Sequence, residues 1–162
     1  MLENRGSQIA VKQGKIMFRG LMLAACAAAI AVSGCASVPM ASAQRDAELK
    51  TFPAPEDGSA GVYIYRNSLV GQALKKDLYI DGERLGESAN KTYFYRQVEP
   101  GEHTVSTESE FSDNAFKLLV EAGKNYFVRQ YIKMGVFVGG ANLELVSEEE
   151  GKKGVLASGL AQ

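Results

Sequence analysis

The chain has 162 residues, with 18 Lys and Arg, 19 Asp and Glu, one His and a formal net charge of −1 at pH 7. This length allows one domain with a short appendage, and the balanced charge argues against nucleic acid as a partner. Both cysteines precede residue 36, which excludes a disulfide framework or a cysteine-rich zinc site in the rest of the chain.

The first 34 residues have the layout of an export signal. Basic side chains at Arg5, Lys12, Lys15 and Arg19 outnumber the single acid and precede an apolar run over residues 21–32. A bilayer span needs about 20 residues, so this run is too short to cross a membrane and suits the hydrophobic region of a signal peptide. We therefore predict a helical signal peptide over residues 1–34, with Met17 as an alternative translation start.

The apolar run ends in a motif that resembles the lipobox of bacterial lipoproteins, formed by Val32, Ser33, Gly34 and Cys35. The resemblance implies that the Cys35 thiol receives a diacylglyceryl group, that the chain is cut before Cys35 and that the new N-terminus is acylated. Several acyl chains give stable anchoring. Ala36 stands where inner-membrane lipoproteins carry Asp, so the resemblance implies the periplasmic face of the outer membrane. An ordinary secretory signal cut at residues 41–43 is the alternative.

Residues 35–60 are predicted to form a lipidated flexible tether, because they are rich in Ala, Ser and Pro and show no sustained apolar period. The folded domain is predicted over residues 61–147. Residues 148–162 open with three Glu and two Lys and are predicted to be an exposed, charged C-terminal segment. A short helix is the alternative there, since acids favour a helix start and bases its end, whereas Gly151 and Gly154 disfavour it.

From residue 61 onward, short apolar runs alternate with turn residues, which is typical of β-strands. Asp81-Gly82 predicts a hairpin, because a type I′ turn needs positive φ at both central residues. The predicted strands cover residues 62–65, 77–80, 83–86, 92–98, 103–107, 116–120, 126–134 and 142–146. This spacing predicts an all-β class and a small antiparallel β-sandwich.

Three motifs carry a family resemblance, namely residues 79–82 (Tyr-Ile-Asp-Gly), 85–86 (Leu-Gly) and 98–105 (Val-Glu-Pro-Gly-Glu-His-Thr-Val). In this order they resemble the PEGA type of small, transthyretin-like β-sandwich. They are more similar still to a bacterial lipoprotein family built on a domain of unknown function. The resemblance covers about residues 60–150 and implies the sandwich fold. It implies no activity, because function resides in sites rather than folds.

His103 is the single histidine, so a hydrolase that depends on histidine would have to use it with a neighbouring acid. It follows the Pro100-Gly101 turn, and no Gly-x-Ser-x-Gly motif accompanies it. We predict that His103 is a half-buried strand residue that hydrogen-bonds to the turn. We predict no catalytic residue, no cofactor and no metal site.

The tyrosines suggest a contact surface. Tyr63 and Tyr65 share one face of their predicted strand, and Tyr93 and Tyr95 share one face of theirs. If the aliphatic faces form the core, these four side chains form an outward platform for a partner, since Tyr and Arg are frequent in interface hot spots. The arginines expected nearby are Arg66, Arg96 and Arg129. Alternatively, the tyrosines cover the second side of the sandwich or pack against the C-terminal segment.

Together these features predict a lipid-anchored protein of the cell envelope that acts as a non-catalytic binding or scaffold module. Its expected partners are the membrane, through Cys35, and an envelope protein or the cell wall. The alternatives are a small-molecule carrier with an apolar pocket and an envelope hydrolase that uses His103.

Overall fold

The computed structural model describes residues 37–68, 70–109, 114–133 and 139–162. In those ranges the chain forms strands β1 (Ala60–Arg66), β2 (Lys76–Ile80), β3 (Glu83–Ser88), β4 (Thr92–Val98), β5 (Gly101–Thr107), β6 (Asn114–Val120), β7 (Asn125–Lys133), β8 (Gly140–Val146) and β9 (Gly159–Leu160), and helices α1 (Ala43–Leu49) and α2 (Glu148–Leu156). Neither of these two helices is long and apolar enough to span a membrane. The predicted signal peptide and Cys35 lie outside the described residues.

The strands form two sheets, ordered β8-β7-β1-β4-β9 and β3-β2-β5-β6. The predicted all-β sandwich is confirmed. Most neighbouring strands are antiparallel, but β1 lies parallel to β7 and β4 lies parallel to β9. These parallel pairs join strands that are distant in the chain, and alternation within one strand does not reveal the direction of its neighbour.

Strand positions follow closely from side-chain alternation and turn residues. β4 has its predicted limits, and the other seven predicted strands differ from the observed ones by one or two residues at their ends. The short strand β9 was not predicted. The hairpin between β2 and β3 is confirmed, since Asp81 and Gly82 have φ values of 52° and 81°. Positive φ at both residues is what a type I′ turn requires.

The main core lies between the two sheets. Val62 and Ile64 of β1 are buried there with Leu78 of β2, Val105 of β5 and Leu118 of β6. Each of these side chains is at most 1% exposed. Burial of apolar surface at about 25 cal/mol per Å² is the main force that holds the sheets together.

A second apolar cluster covers the outer face of the five-stranded sheet. Leu49 of α1 and Val155 of α2 pack there with aromatic side chains of β1, β4 and β7. The described chain therefore has three layers: the two helices, the five-stranded sheet and the four-stranded sheet.

The structure corrects the flexible tether predicted over residues 35–60. Val38 is 8% exposed and packs into the main core, and Leu49 is 3% exposed. Ser42 caps α1 by accepting a backbone N–H of its first turn. Buried side chains as widely spaced as Val38 and Leu49 produce no periodic pattern, and the composition of the segment therefore resembles that of a linker. Among the described residues, the folded domain therefore includes Val38 and starts earlier than the predicted residue 61.

The structure also corrects the prediction that residues 148–162 form an exposed, charged segment. Three Glu in the first turn and an N-cap at Ser147 favour the start of α2. Gly151 and Gly154 are the points where α2 approaches the sheet, because an added Cβ would collide with Phe127 and Tyr65 respectively. β9 then pairs with β4, so the domain extends past residue 147 into the C-terminal strand.

Candidate functional site

The predicted outward platform of tyrosines is wrong. Tyr63, Tyr65 and Tyr93 are at most 2% exposed, and Tyr95 packs against the same cluster beneath the helices. Each pair does share one face, as expected, but α1 and α2 cover that face. The structure supports the alternative interpretation, in which tyrosines pack against the C-terminal segment, since Tyr65 lies against Gly154 of α2.

The buried tyrosine hydroxyls bind backbone atoms of α1. Tyr63 Oη donates to the carbonyl of Leu49 at 3.1 Å, and Tyr93 Oη donates to that of Asp46 at 3.4 Å. Burial raises the pKa of both phenols, so they remain neutral donors. Their observed role is to hold α1 on the sheet.

The three arginines expected beside the platform are not brought together. Arg66 is fully buried and donates to the carbonyl of Leu74 at 2.8 Å. Arg129 Nε lies 2.6 Å from a carboxylate oxygen of Glu144. Arg96 lines a groove on the side of the sandwich.

His103 is held on both sides of its ring. Nδ1 lies 2.6 Å from Asp81 Oδ2, and Nε2 lies 2.7 Å from the carbonyl oxygen of Glu99. A carbonyl only accepts, so Nε2 carries a proton, and Nδ1 donates to the carboxylate. Burial acts against the charged ring, but these two acceptors outweigh it and raise the pKa of His103. His103 in turn, with the N–H of Thr104, lowers the pKa of Asp81.

This arrangement ties the β2–β3 turn to β5. The His103 side chain is 14% exposed, and its bond to the Glu99 carbonyl is the one expected for a half-buried strand residue that binds the Pro100-Gly101 turn. The bond to Asp81 was not predicted. A general base needs a free ring nitrogen within reach of the substrate proton, and here Nε2 is occupied by the Glu99 carbonyl. Among the described residues, no group of three His, Cys, Asp or Glu side chains could hold a metal ion.

A groove runs along the side of the sandwich between β3 and β4. Its wider part has a volume of about 450 Å³ and its narrower part about 210 Å³. Both parts are lined by Leu85, Arg96 and Gln97. The wider part extends to Leu160 of β9, and the narrower part extends to the turn at Asp81.

A β-bulge and a glycine shape this groove. The β2–β3 register shifts so that Leu78 pairs with Gly86 and Tyr79 pairs with Arg84, which leaves Leu85 as the extra residue. Gly86 has a φ of 151°, and an added Cβ would lie only 2.9 Å from the ring of Phe94. The missing side chain lets this ring lie against β3, where it lines the groove.

Two exposed ion pairs flank the groove. Arg96 Nη2 lies 3.3 Å from Glu83 Oε1, and Arg45 Nη1 lies 3.2 Å from Glu48 Oε2. Exposed pairs of this kind are worth about 0–1 kcal/mol, so a ligand can displace the acids at small cost. The groove suits a ligand with an apolar part, which would contact Leu85, and an acidic or carbonyl group, which would bind the arginines.

Sequence reasoning missed this groove. The available signal is Leu85-Gly86, but without the strand register this pair indicates only the fold and not a groove. The bulge that turns Leu85 toward the groove depends on the register between two strands, and the other wall comes from β4 and the C-terminal residues.

Comparison with known proteins gives two matches. A family described as a protein of unknown function (DUF2846) matches residues 56–141. An uncharacterized protein of Haemophilus influenzae (strain ATCC 51907 / DSM 11121 / KW20 / Rd) is 58% identical over 127 residues, which is 78% of this chain and 76% of the relative. No solved structure matches the chain.

Proposed function

We propose that this chain, which belongs to the DUF2846 family of unknown function, is a lipid-anchored, non-catalytic binding module of the bacterial cell envelope. Its anchor is Cys35, its location is the periplasmic face of the outer membrane, and its ligand-binding surface is the groove between β3 and β4. The resemblance to the PEGA type of sandwich stays a prediction.

The anchor is supported by the lipobox at residues 32–35 and by the start of the fold. Val38 is buried in the core and Met40 pairs with Ala161. The alternative cleavage at residues 41–43 would remove both of these residues from the mature domain. Cleavage before Cys35 keeps them.

The groove is the observation that carries the proposed binding role. Its volume of about 450 Å³ falls within the roughly 300–1,000 Å³ common for ligand sites. It combines the apolar side chains of Leu85 and Phe94 with the guanidinium of Arg96. Binding is favoured over hydrolysis because both ring nitrogens of His103 are already hydrogen-bonded.

The test is crosslinking in intact cells that express the full-length protein, followed by mass spectrometry of the crosslinked species. Arg96→Ala removes the guanidinium that both parts of the groove share, and we expect it to reduce the crosslinked ligand or partner about tenfold. Cys35→Ala is expected to abolish the crosslink, because the anchor keeps the protein beside its partner. The N-terminal peptide in the same spectra reports whether Cys35 is acylated.

Arg84→Ala is the matched control, because Arg84 is also exposed and pairs with an acid, Asp77, at 2.6 Å, but lies outside the groove lining. It should leave the crosslink intact. Equal losses in Arg84→Ala and Arg96→Ala, or no loss in either, would contradict the groove as the binding surface. An unmodified Cys35 would contradict the anchor.

A further inference from the structure

The fold begins very close to the proposed lipid anchor. Only Ala36 and Ser37 separate Cys35 from Val38, which is 8% exposed in the core. An extended chain advances by at most about 3.6 Å per residue, so three residues span roughly 10 Å. Because this distance is short, a lipid on Cys35 would hold the domain at the membrane surface. This inference rests on the lipidation proposed above.

Residues 39–41, which follow the proposed anchor, are hydrogen-bonded to residues 160–162. The N–H of Ala41 donates to the carbonyl of Leu160 at 2.9 Å, and the N–H of Gln162 donates to that of Pro39 at 3.1 Å. Met40 forms a bridge with Ala161. The residues next to the anchor therefore share one surface with the residues that end the chain.

The Met40 side chain also lies against Gly159, just after helix α2. We call the two segments that meet there, residues 37–42 and 154–162, the anchor face. Neither segment contains a charged side chain, although 23% of the whole chain is charged. Met40 is 46% exposed and Leu156 is 57% exposed. The two exposed apolar side chains lie in segments without charge, which suits contact with an apolar partner.

We propose that the anchor face lies against the lipid bilayer that holds the acylated Cys35. The short connection brings this face to the interface, and burial of Met40 and Leu156 there adds favourable apolar contact. No charged side chain of this face has to lose water on contact. The wider part of the groove is lined by Ala41 and Gln162, so the groove opens beside the membrane.

The test compares two labels on the full-length, lipidated protein in vesicles of bacterial phospholipid. Leu156→Cys places an environment-sensitive fluorophore on the anchor face, and Leu119→Cys places it on another exposed leucine, which is 70% exposed in β6. The thioether on Cys35 leaves the introduced cysteine as the free thiol of the mature chain. We expect quenching by brominated lipid to be at least threefold stronger at position 156.

Equal quenching at the two positions, with Cys35 shown by mass spectrometry to be acylated, would overturn this orientation and leave the proposed anchor intact. An unacylated Cys35 would instead overturn the anchor itself. Protection of position 156 from a water-soluble thiol reagent without lipid quenching would assign the anchor face to a protein neighbour and also overturn the inference. A label at Ala157, which is also exposed, keeps the test decisive if Leu156→Cys does not fold.

Discussion

His103 and Asp81 form an ion pair that fixes the position of a turn. The pKa of His103 is higher in the folded state than in the unfolded state. Its contribution to stability is therefore complete below about pH 6.5, the ordinary pKa of histidine, and is lost as the pH rises through the pKa of the folded state. The lowered pKa of Asp81 means that its contribution is present above about pH 3.9 and is lost on acidification. The pair therefore stabilises the fold most between about pH 4 and 6.5.

We predict that His103→Gln lowers the free energy of unfolding by about 1–2 kcal/mol at pH 5.5, at the low end for hydrogen bonds to charged groups, because the Asp81 side chain is 50% exposed and screened by water. The difference from the wild type should shrink as the pH rises through the raised pKa of His103, because the imidazolium then loses its proton. Urea unfolding of the non-lipidated Cys35→Ala protein, measured in steps of pH upward from 5.5, follows this change. A difference that does not vary with pH would argue against an imidazolium in the folded state.

Helix α2 forms where local propensity is poor. Gly151 and Gly154 each cost about 1 kcal/mol relative to Ala in a helix. Both lie against aromatic side chains of the sheet, where an added Cβ has no room. Tertiary packing on the sheet therefore outweighs propensity in this element.

We predict that Gly154→Ala destabilises the protein by about 1–3 kcal/mol, the usual cost of overpacking, although the change improves helix propensity. The physical reason is the collision of the new Cβ with the Tyr65 ring. Thermal or urea unfolding measures the effect. Lys153→Ala, an exposed position in the same helix, should stay within about 0.5 kcal/mol of the wild type. A stabilised Gly154→Ala protein would show that α2 does not pack closely on β1.

Helix α1 and the C-terminal strand β9, which lie near the two ends of the described chain, are hydrogen-bonded to each other. β9 pairs with β4, and the N–H of Leu160 donates to Asp46 Oδ1 of α1 at 2.9 Å. Burial acts to raise the pKa of Asp46, but hydrogen bonds from Lys50 and from this N–H lower it overall. The C-terminal strand therefore holds the helix that covers the tyrosines.

We predict that deletion of residues 159–162 lowers the free energy of unfolding by about 2–5 kcal/mol, comparable to the loss of a large buried side chain, since Leu160 is 7% exposed. Amide hydrogen exchange at Ala41 should become faster, because its N–H loses the Leu160 carbonyl. Gln162→Ala, which removes only an exposed side chain, is the control. Unchanged exchange at Ala41 in the truncated protein would mean that residues 38–41 are held independently of β9.

The sequence by itself determined the local parts of this protein. Alternating side chains placed strands β1 to β8 to within one or two residues, and Asp81-Gly82 determined its hairpin, because both signals depend on neighbouring residues alone. The lipobox at residues 32–35 is equally local, and its lipidation stays a prediction.

Only the tertiary structure decided what covers each surface. Alternation put Tyr63 and Tyr65 on one face of β1, but the helices that bury them, α1 and α2, are distant from each other in the sequence. The groove likewise depends on a bulge at Leu85 and on β9 beside β4. Contacts between segments distant in sequence leave no periodic pattern in either segment, and for that reason the tether, the C-terminal segment and the exposed platform were predicted wrongly.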